Sequence, residues 1–316
     1  MIIITKSSYK SSVLTFIVTL SVLVYLLLMP RSVSSSVVAS INSCLYGVIP
    51  SLFCFMLLSK LIVNSGVAYI ISRPFGNLFY KLTGLPAIGF SVYLFSFLSG
   101  YPSGVIASVD LYKNGSIKKS EAERLCAVTN NTGPALPVIL IGTQILNQAR
   151  IGAIIYLIQV LSSVVALFLF RDKNNDKQDT MYSDSYKKDF ITAFCESVEG
   201  SVKACAVMCG YIILFNVVGD AIPNVFGNNI LFHIFRPFLE ISSGSAHLTN
   251  VSDVLKFAVL SSALTFGGLC VHMQAASVMS SHGLSSKKHF YFKSIQALLA
   301  FVFSCIIIFV YQINLF

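Results

Sequence analysis

The chain consists mainly of long apolar runs, and two of these runs are interrupted by polar residues near their centres. Ser-Gly-Tyr-Pro-Ser-Gly at 99–104 interrupts the run 85–111, and Glu-Ile-Ser-Ser-Gly at 240–244 interrupts the run 230–248. Each is followed by another interrupted run, broken by Asn-Asn-Thr-Gly-Pro at 130–134 and by Gly-Gly at 267–268. Irregular backbone at membrane depth occurs where protein or a water-filled cavity surrounds it. The paired interruptions therefore predict a transport site.

The other apolar runs predict membrane-spanning helices. These spans are expected at 13–29, 41–71, 122–146, 151–170, 204–218, 254–279 and 295–311. The halves of runs 85–111 and 230–248 are too short to cross a hydrocarbon core of ~30 Å, so each run predicts a re-entrant helical hairpin. The predicted fold is an all-α polytopic membrane protein with about seven transmembrane helices and two re-entrant hairpins.

The order of these elements predicts four parts. Residues 1–40 form an N-terminal transmembrane helix and loop, and residues 171–189 form a polar cytoplasmic linker. Residues 41–170 and 190–316 form two repeats, each with the order span, hairpin, broken span, span. Because the first repeat begins outside and the second inside, the repeats are predicted to be inverted, as in many secondary transporters.

Composition and charge support a membrane protein. The chain is 55% hydrophobic and 11% charged, with a mean hydropathy of +0.77, which excludes an ordinary soluble domain. The formal charge of +9 comes from Lys and Arg in short loops, among them an inner loop with Lys287, Lys288 and Lys293. This distribution indicates topology rather than nucleic-acid binding. It predicts a cytoplasmic N-terminus, an external loop at 219–229 and an external C-terminus.

Other classes of chemistry find no support in the sequence. The eight cysteines are scattered without metal-ligand or disulfide spacing, so we expect no metal and no cofactor. Motifs for a hydrolase nucleophile, a zinc protease or a nucleotide-binding loop do not occur, so we expect no enzyme and no ATP hydrolysis. Energy for transport would come from an ion gradient or from the gradient of the solute.

The second hairpin supplies the first group of candidate binding residues. Glu240 is an ionisable residue at predicted membrane depth, which favours a functional group facing a cavity. The alternative is a structural ion pair with Arg236, four residues earlier. Ser242, Ser243 and Gly244 offer backbone donors and hydroxyls at the same tip.

The other breaks supply the remaining candidates. Asn130, Asn131 and Thr132 offer donors and acceptors, although a kink at Pro134 is the alternative. His272 and Gln274 follow the glycine pair, and the alternative for His272 is a hydrogen-bonded structural residue. At the first tip, where the dipole of the following helix favours an anion, the candidates are Ser99, Gly100, Tyr101, Ser103 and Gly104.

Five segments together resemble one known family. They are Ser-Gly-Tyr-Pro-Ser-Gly at 99–104, Glu-Ala-Glu-Arg-Leu at 121–125, Asn-Asn-Thr-Gly-Pro at 130–134, Leu-Glu-Ile-Ser-Ser-Gly at 239–244 and Gly-Gly-Leu-Cys-Val-His-Met-Gln at 267–274. The chain resembles the YlbJ family of sporulation integral membrane proteins, also called SpoVV. This family belongs to the nucleoside-recognition or gate domain group and is similar in architecture to concentrative nucleoside transporters.

The resemblance implies a transporter in the outer forespore membrane that moves dipicolinic acid toward the forespore. The expected partners are a small anionic solute, a coupling cation (H+ or Na+) and the lipid bilayer, without nucleic acid; an oligomer is compatible with the sequence. Two alternatives stay open, namely a transporter of a nucleoside or related solute and a non-transporting scaffold of spore maturation. An ionised Glu240 would repel a dianion, so it should be protonated, paired with Arg236 or bound to a cation.

Overall fold

The computed structural model describes residues 6–171, 188–227, 229–248 and 251–311, and across these ranges all regular secondary structure is helical. The helices are α1 (Lys6–Leu28), α2 (Pro30–Ser43), π1 (Cys44–Val48), α3 (Ile49–Asn64), α4 (Val67–Ser72), α5 (Gly76–Thr83), α6 (Gly89–Ser99), α7 (Ser103–Lys113), α8 (Lys119–Val128), π2 (Leu136–Ile145), α9 (Ala149–Leu169), α10 (Phe190–Phe226), α11 (Ile230–Leu239), α12 (Ile241–Ala246), α13 (Asp253–Phe266), α14 (Gly268–Ser280) and α15 (Lys287–Tyr311). Most of the predicted linker 171–189 lies outside the described residues, as do 1–5 and 312–316.

Several helices are long and apolar enough to cross a membrane. Within the described ranges there are four, at Ala149–Leu169, Phe190–Val225, Asp253–Ser280 and Lys287–Val310, or five if the pair α1–α2, bent by 103°, is one span. Large apolar side chains on these helices are exposed, among them Phe309 at 83% and Ile191 at 72%, as expected for contact with lipid. The all-α polytopic membrane class is therefore confirmed, while the count of seven spans stays a prediction.

The two predicted repeats contain the same series of elements. The first has α3, the interrupted pair α6–α7, the broken helix α8–π2, and α9; α4 and α5 are additional short helices. The second has α10, the interrupted pair α11–α12, the broken helix α13–α14, and α15. Packing is reciprocal, because α3 contacts α10, α9 contacts α15, α8 contacts α15 and α13 contacts α9. The division into two repeats and their inversion across the membrane both stay predictions.

The N-terminal part differs from the sequence prediction. Residues 30–40 were expected to form a loop, but they belong to helix α2. Pro30 occupies a first-turn position that suits proline, and the hydroxyls of Ser36 and Ser40 donate to carbonyls one turn back, which satisfies these polar groups within the helix. Helix α2 then packs against α10.

Helix α10 is longer than predicted. The sequence predicted a span at 204–218 and an external loop at 219–229, whereas one helix of 37 residues runs from Phe190 to Phe226. Asp189 caps its start by accepting the Thr192 N–H at 3.1 Å, and hydrogen bonds from Thr192 hold the pKa of the Asp189 carboxyl below its usual value. At the other end Asp220 forms an ion pair with Arg236 of α11, which stabilises the turns predicted as loop.

Helix α15 begins earlier than predicted. It starts at Lys287 rather than at 295, so Lys293 lies inside the helix and not in an inner loop. The Lys293 side chain is 1% exposed, and its Nζ donates to Gln296 Oε1 at 2.7 Å. The predicted helix start at 295 was wrong because Gln296, one turn after Lys293, provides a polar partner that lets the lysine lie inside the helix.

Candidate functional site

The four backbone breaks meet in the interior of the molecule. In the first repeat the hairpin tip contacts the broken helix, because a Cβ on Gly133 would lie 2.7 Å from Leu98 O and 3.3 Å from Gly100 N. In the second repeat a Cβ on Gly268 would lie 3.1 Å from Leu239 O. Thus in both repeats the hairpin break touches the broken helix of the same repeat.

Tyr101 connects the two repeats. It lies at the first hairpin tip and is 6% exposed, and a Cβ on Gly267 would be 3.8 Å from its Cε1. Tyr101 also packs in one apolar cluster with Ile241 and Val271, which follow the two breaks of the second repeat. The breaks therefore form one continuous region, with irregular backbone enclosed by protein as the hydrocarbon interior requires.

The hydroxyls at the first hairpin tip are used within the hairpin. Ser99 Oγ donates to Phe95 O at 2.8 Å, and Ser103 Oγ, which lies beside both Ser99 Oγ and Gly100 O, donates its single proton to one of them. Gly104 allows close approach to the first broken helix, since a Cβ there would lie 1.9 Å from Thr129 O. Ser99, Ser103 and Gly104 thus hold the tip together.

Glu240 caps helix α12. Its carboxylate accepts the N–H groups of Ser242 at 3.0 Å and Ser243 at 2.7 Å, and the side chain is 3% exposed. The Ser243 hydroxyl donates to Asn216, and Gly244 lets α12 pack against the carbonyl of Arg236. The start of α12 is therefore occupied by a carboxylate of the chain itself.

Arg236 pairs with Asp220 and not with Glu240, which corrects the alternative considered from the sequence. Arg236 is 1% exposed, and its Nη2 lies 2.6 Å from Asp220 Oδ1; Ser36 donates to the other carboxylate oxygen. Gly219 makes room for this side chain, because a Cβ there would lie 1.6 Å from Arg236 Nη1. Sequence reasoning missed Asp220, although an acidic residue next to an apolar run was a visible signal.

The first broken helix forms a buried polar cluster with two histidines. Asn130 Nδ2 lies 2.8 Å from His289 Nε2, and His289 Nδ1 lies 3.3 Å from His272 Nδ1. The His272 ring also contacts the rings of Phe266 and Phe290, with centroids 4.3 and 5.0 Å away. The predicted residues Asn130 and His272 are thus joined by His289, which sequence reasoning missed.

The polar cluster extends along helix α15 to Gln296. Gln296 Nε2 donates to Asn131 Oδ1 at 3.3 Å and to Gln159 O at 3.4 Å. Asn131 Nδ2 donates to Ser96 Oγ at 3.1 Å, and Gln159 Nε2 donates to Thr132 O at 3.2 Å. The missed residues His289, Lys293 and Gln296 recur at helical spacing within an apolar helix, a signal that the sequence contained.

Several buried polar atoms of this region make no hydrogen bond to another described residue. They are Asn130 Oδ1, Gln159 Oε1, His272 Nε2 and Gln274 Oε1. Gln274 is otherwise held by a contact of its Nε2 with Cys270 Sγ at 3.3 Å. Buried polar atoms normally have hydrogen-bond partners. A cluster of buried polar atoms without partners therefore indicates where a polar solute can bind.

A cavity of about 330 Å³ lies where α8, α9 and α15 come together at one end of the bundle. Its lining combines basic with aromatic side chains, namely Arg124, Arg171, Lys288, Phe170, Tyr291 and Phe292. Phe292 is fully buried and precedes Lys293 in the sequence. Within the described ranges His, Cys, Asp and Glu do not gather into a group of three that could hold a metal ion.

One curated protein shows clear similarity to this chain. The sporulation integral membrane protein YlbJ of Bacillus subtilis (strain 168) is 22% identical over 296 aligned residues, which cover 81% of this chain and 72% of the relative. The resemblance to the YlbJ family is confirmed. Since neither repeat alone makes up 81% of the chain, the similarity to YlbJ extends over both. No family model matches the chain, and no solved structure does.

Proposed function

We propose that the protein is a secondary transporter or facilitator of a small anionic metabolite. The meeting of four backbone breaks between two repeats is the observation that carries this proposal. In many secondary transporters the solute binds at the repeat interface, at discontinuous helices, and the repeats move around it. Among the polar atoms without partners beside these breaks, His272 Nε2 can donate to a solute, and the amide oxygens of Asn130, Gln159 and Gln274 can accept from one.

Dipicolinic acid is the solute that we propose. It is a flat aromatic dicarboxylate, and the His272 ring, which contacts Phe266 and Phe290, offers aromatic surface with an unpartnered Nε2, while Gln274 lies two residues further along α14. The two backbone N–H groups that bind Glu240 also offset its negative charge, which reduces the repulsion of a dianion. Coupling to H+ or Na+ belongs to the proposal.

The cellular setting that we propose is spore formation. The relative YlbJ is named as a sporulation integral membrane protein, and this chain shares its helical membrane character. We place the protein in the outer forespore membrane, with a cytoplasmic N-terminus, so that transport runs toward the forespore.

Transport can be tested with purified protein in liposomes and labelled dipicolinate. We expect wild-type protein to catalyse uptake and Gln274→Ala to reduce the initial rate about tenfold, the effect of ~1.4 kcal/mol of lost binding. Gln144→Ala is the matched control, because Gln144 is exposed on π2 whereas Gln274 is 2% exposed, and its rate should equal that of wild type.

Liposomes with wild-type protein that take up no more dipicolinate than empty ones would overturn the proposal. Nucleosides serve as competitors in the same assay, because buried amides also suit the hydrogen-bonding edge of a base. Uptake of a labelled nucleoside by liposomes that take up no dipicolinate would favour a nucleoside transporter. An absence of transport of either solute would favour the scaffold.

A further inference from the structure

Lys293 is a lysine inside a membrane-spanning helix that has no acidic partner among the described residues. It is 1% exposed, and its Nζ donates to the neutral amide of Gln296 at 2.7 Å. A buried charge is costly unless it is paired, and ionisable residues at membrane depth generally have a functional reason. The structure of the protein alone therefore does not explain why a lysine stands here.

Arg236, the other fully buried Lys or Arg among the described residues, has a carboxylate partner, and so does Lys60, which is 14% exposed. Lys60 lies 2.9 Å from Asp110, and Arg236 lies 2.6 Å from Asp220. Among the described residues, Lys293 is thus the deeply buried cation that pairs only with an amide. A solute carboxylate would find its charge partner here.

The groups around Lys293 are neutral or basic. On α15 they are His289 and Gln296, on α14 His272, at the first broken helix Asn130 and Asn131, and on α9 Gln159. His272 and His289 both lie within electrostatic range of the lysine. Imidazole and amide N–H groups can all donate to an anion. Among the described residues, this cluster therefore contains one cation and no acid.

Asn130 donates to His289 Nε2, so His289 Nδ1 donates to His272 Nδ1, and the unpartnered Nε2 of His272 carries the proton. We propose that Lys293 binds a carboxylate of the transported solute, with His272 Nε2 as an additional donor. This inference rests on the proposed function and adds to it the residue that recognises negative charge. An ammonium–carboxylate pair inside the protein is a strong charge-assisted hydrogen bond. The first backbone N–H groups of α12 are taken by Glu240 and are not free for the solute.

The test uses purified full-length protein and its dissociation constants for three probes: dipicolinate, picolinate and the neutral pyridine-2,6-dicarboxamide. We expect Lys293→Met to weaken dipicolinate and picolinate at least tenfold and to leave the neutral probe nearly unchanged. Lys293→Arg should keep part of the affinity, because the charge is retained. Lys287→Met is the matched control, since Lys287 is exposed at the start of the same helix, and it should bind as wild type does.

Stability without ligand provides the second readout. Met has a similar length and no charge to desolvate, so Lys293→Met should melt at the wild-type temperature or above it. A variant that fails to fold, or that binds both carboxylates with wild-type affinity, would overturn the assignment.

The two proposals can fail separately. Wild-type protein that transports dipicolinate, combined with an unaffected Lys293→Met variant, would contradict only the role of Lys293. Wild-type protein that binds carboxylates through Lys293 but transports none would contradict only the proposed function. If wild-type protein binds neither carboxylate, both are wrong.

Discussion

Individual buried charges in this protein differ in what neutralises them. Arg236 has the carboxylate of Asp220, Glu240 has two backbone N–H groups, and Lys293 has the amide of Gln296. The first two arrangements satisfy their charges within the fold. Arg236 and Glu240 therefore have structural charges, whereas the charge of Lys293 is available to a solute.

The pair Asp220–Arg236 should contribute strongly to stability. Asp220→Asn leaves the guanidinium of Arg236, 1% exposed, without its counter-charge, so we expect a loss of about 3 kcal/mol in the free energy of unfolding in detergent. The double variant with Arg236→Met should recover most of this loss, because the uncompensated charge is then removed.

Asp253→Asn is the control for this experiment. Asp253 pairs with Lys256 at 2.9 Å, but it is 56% exposed, and surface pairs contribute only about 0–1 kcal/mol. If Asp220→Asn and Asp253→Asn destabilised the protein equally, Arg236 would not depend on Asp220.

Helix α7 packs closely against the first broken helix. A Cβ on Gly104 would lie 1.9 Å from Thr129 O, so a side chain there would force the two segments apart. The same kind of contact brings Gly133 against the first hairpin tip. Close backbone packing therefore fixes the position of the breaks.

Replacing Gly104 should disturb this packing. We expect Gly104→Ala to lower stability by about 1–3 kcal/mol, as overpacking of a close contact does, and to reduce dipicolinate uptake. The control is Gly210→Ala in α10, where no atom lies within 4 Å of the added Cβ. It should be neutral or stabilising by up to about 1 kcal/mol, because alanine is the better helix former. Equal stability of the two variants would contradict the close contact.

The elements that sequence could predict are those determined by local chemistry. The breaks at 99–104, 130–134, 240–244 and 267–268 were predicted because Gly, Pro and polar clusters interrupt helices wherever they occur. The extent of α10 and the burial of Lys293 were not predicted, since they depend on Arg236 and Gln296, whose proximity only the folded chain establishes.

Across the whole molecule, the two repeats enclose the four breaks through reciprocal helix contacts. Helices α3 and α10 pair, helices α9 and α15 pair, and Tyr101 of the first repeat reaches Gly267 of the second. The candidate site thus belongs to neither repeat alone. The position of the repeats relative to the membrane follows only from the charges of the loops.

Cysteine labelling can test this orientation. In a variant without its native cysteines, produced in a bacterial inner membrane, we expect Asn229→Cys to react with an impermeant maleimide in intact cells and Lys119→Cys to react only after the membrane is opened. Both positions are exposed on the protein surface. The reverse pattern would invert the topology, and labelling of both in intact cells would contradict the hairpin arrangement.

The glycines at the breaks have a consequence for evolution. Gly104, Gly133 and Gly268 hold the centre together through contacts with main-chain atoms, which every amino acid provides. The side chains that would meet the solute are separate from this scaffold. Mutations among those side chains can therefore alter substrate preference while the architecture persists, so proteins of diverged sequence can share this centre and carry different solutes.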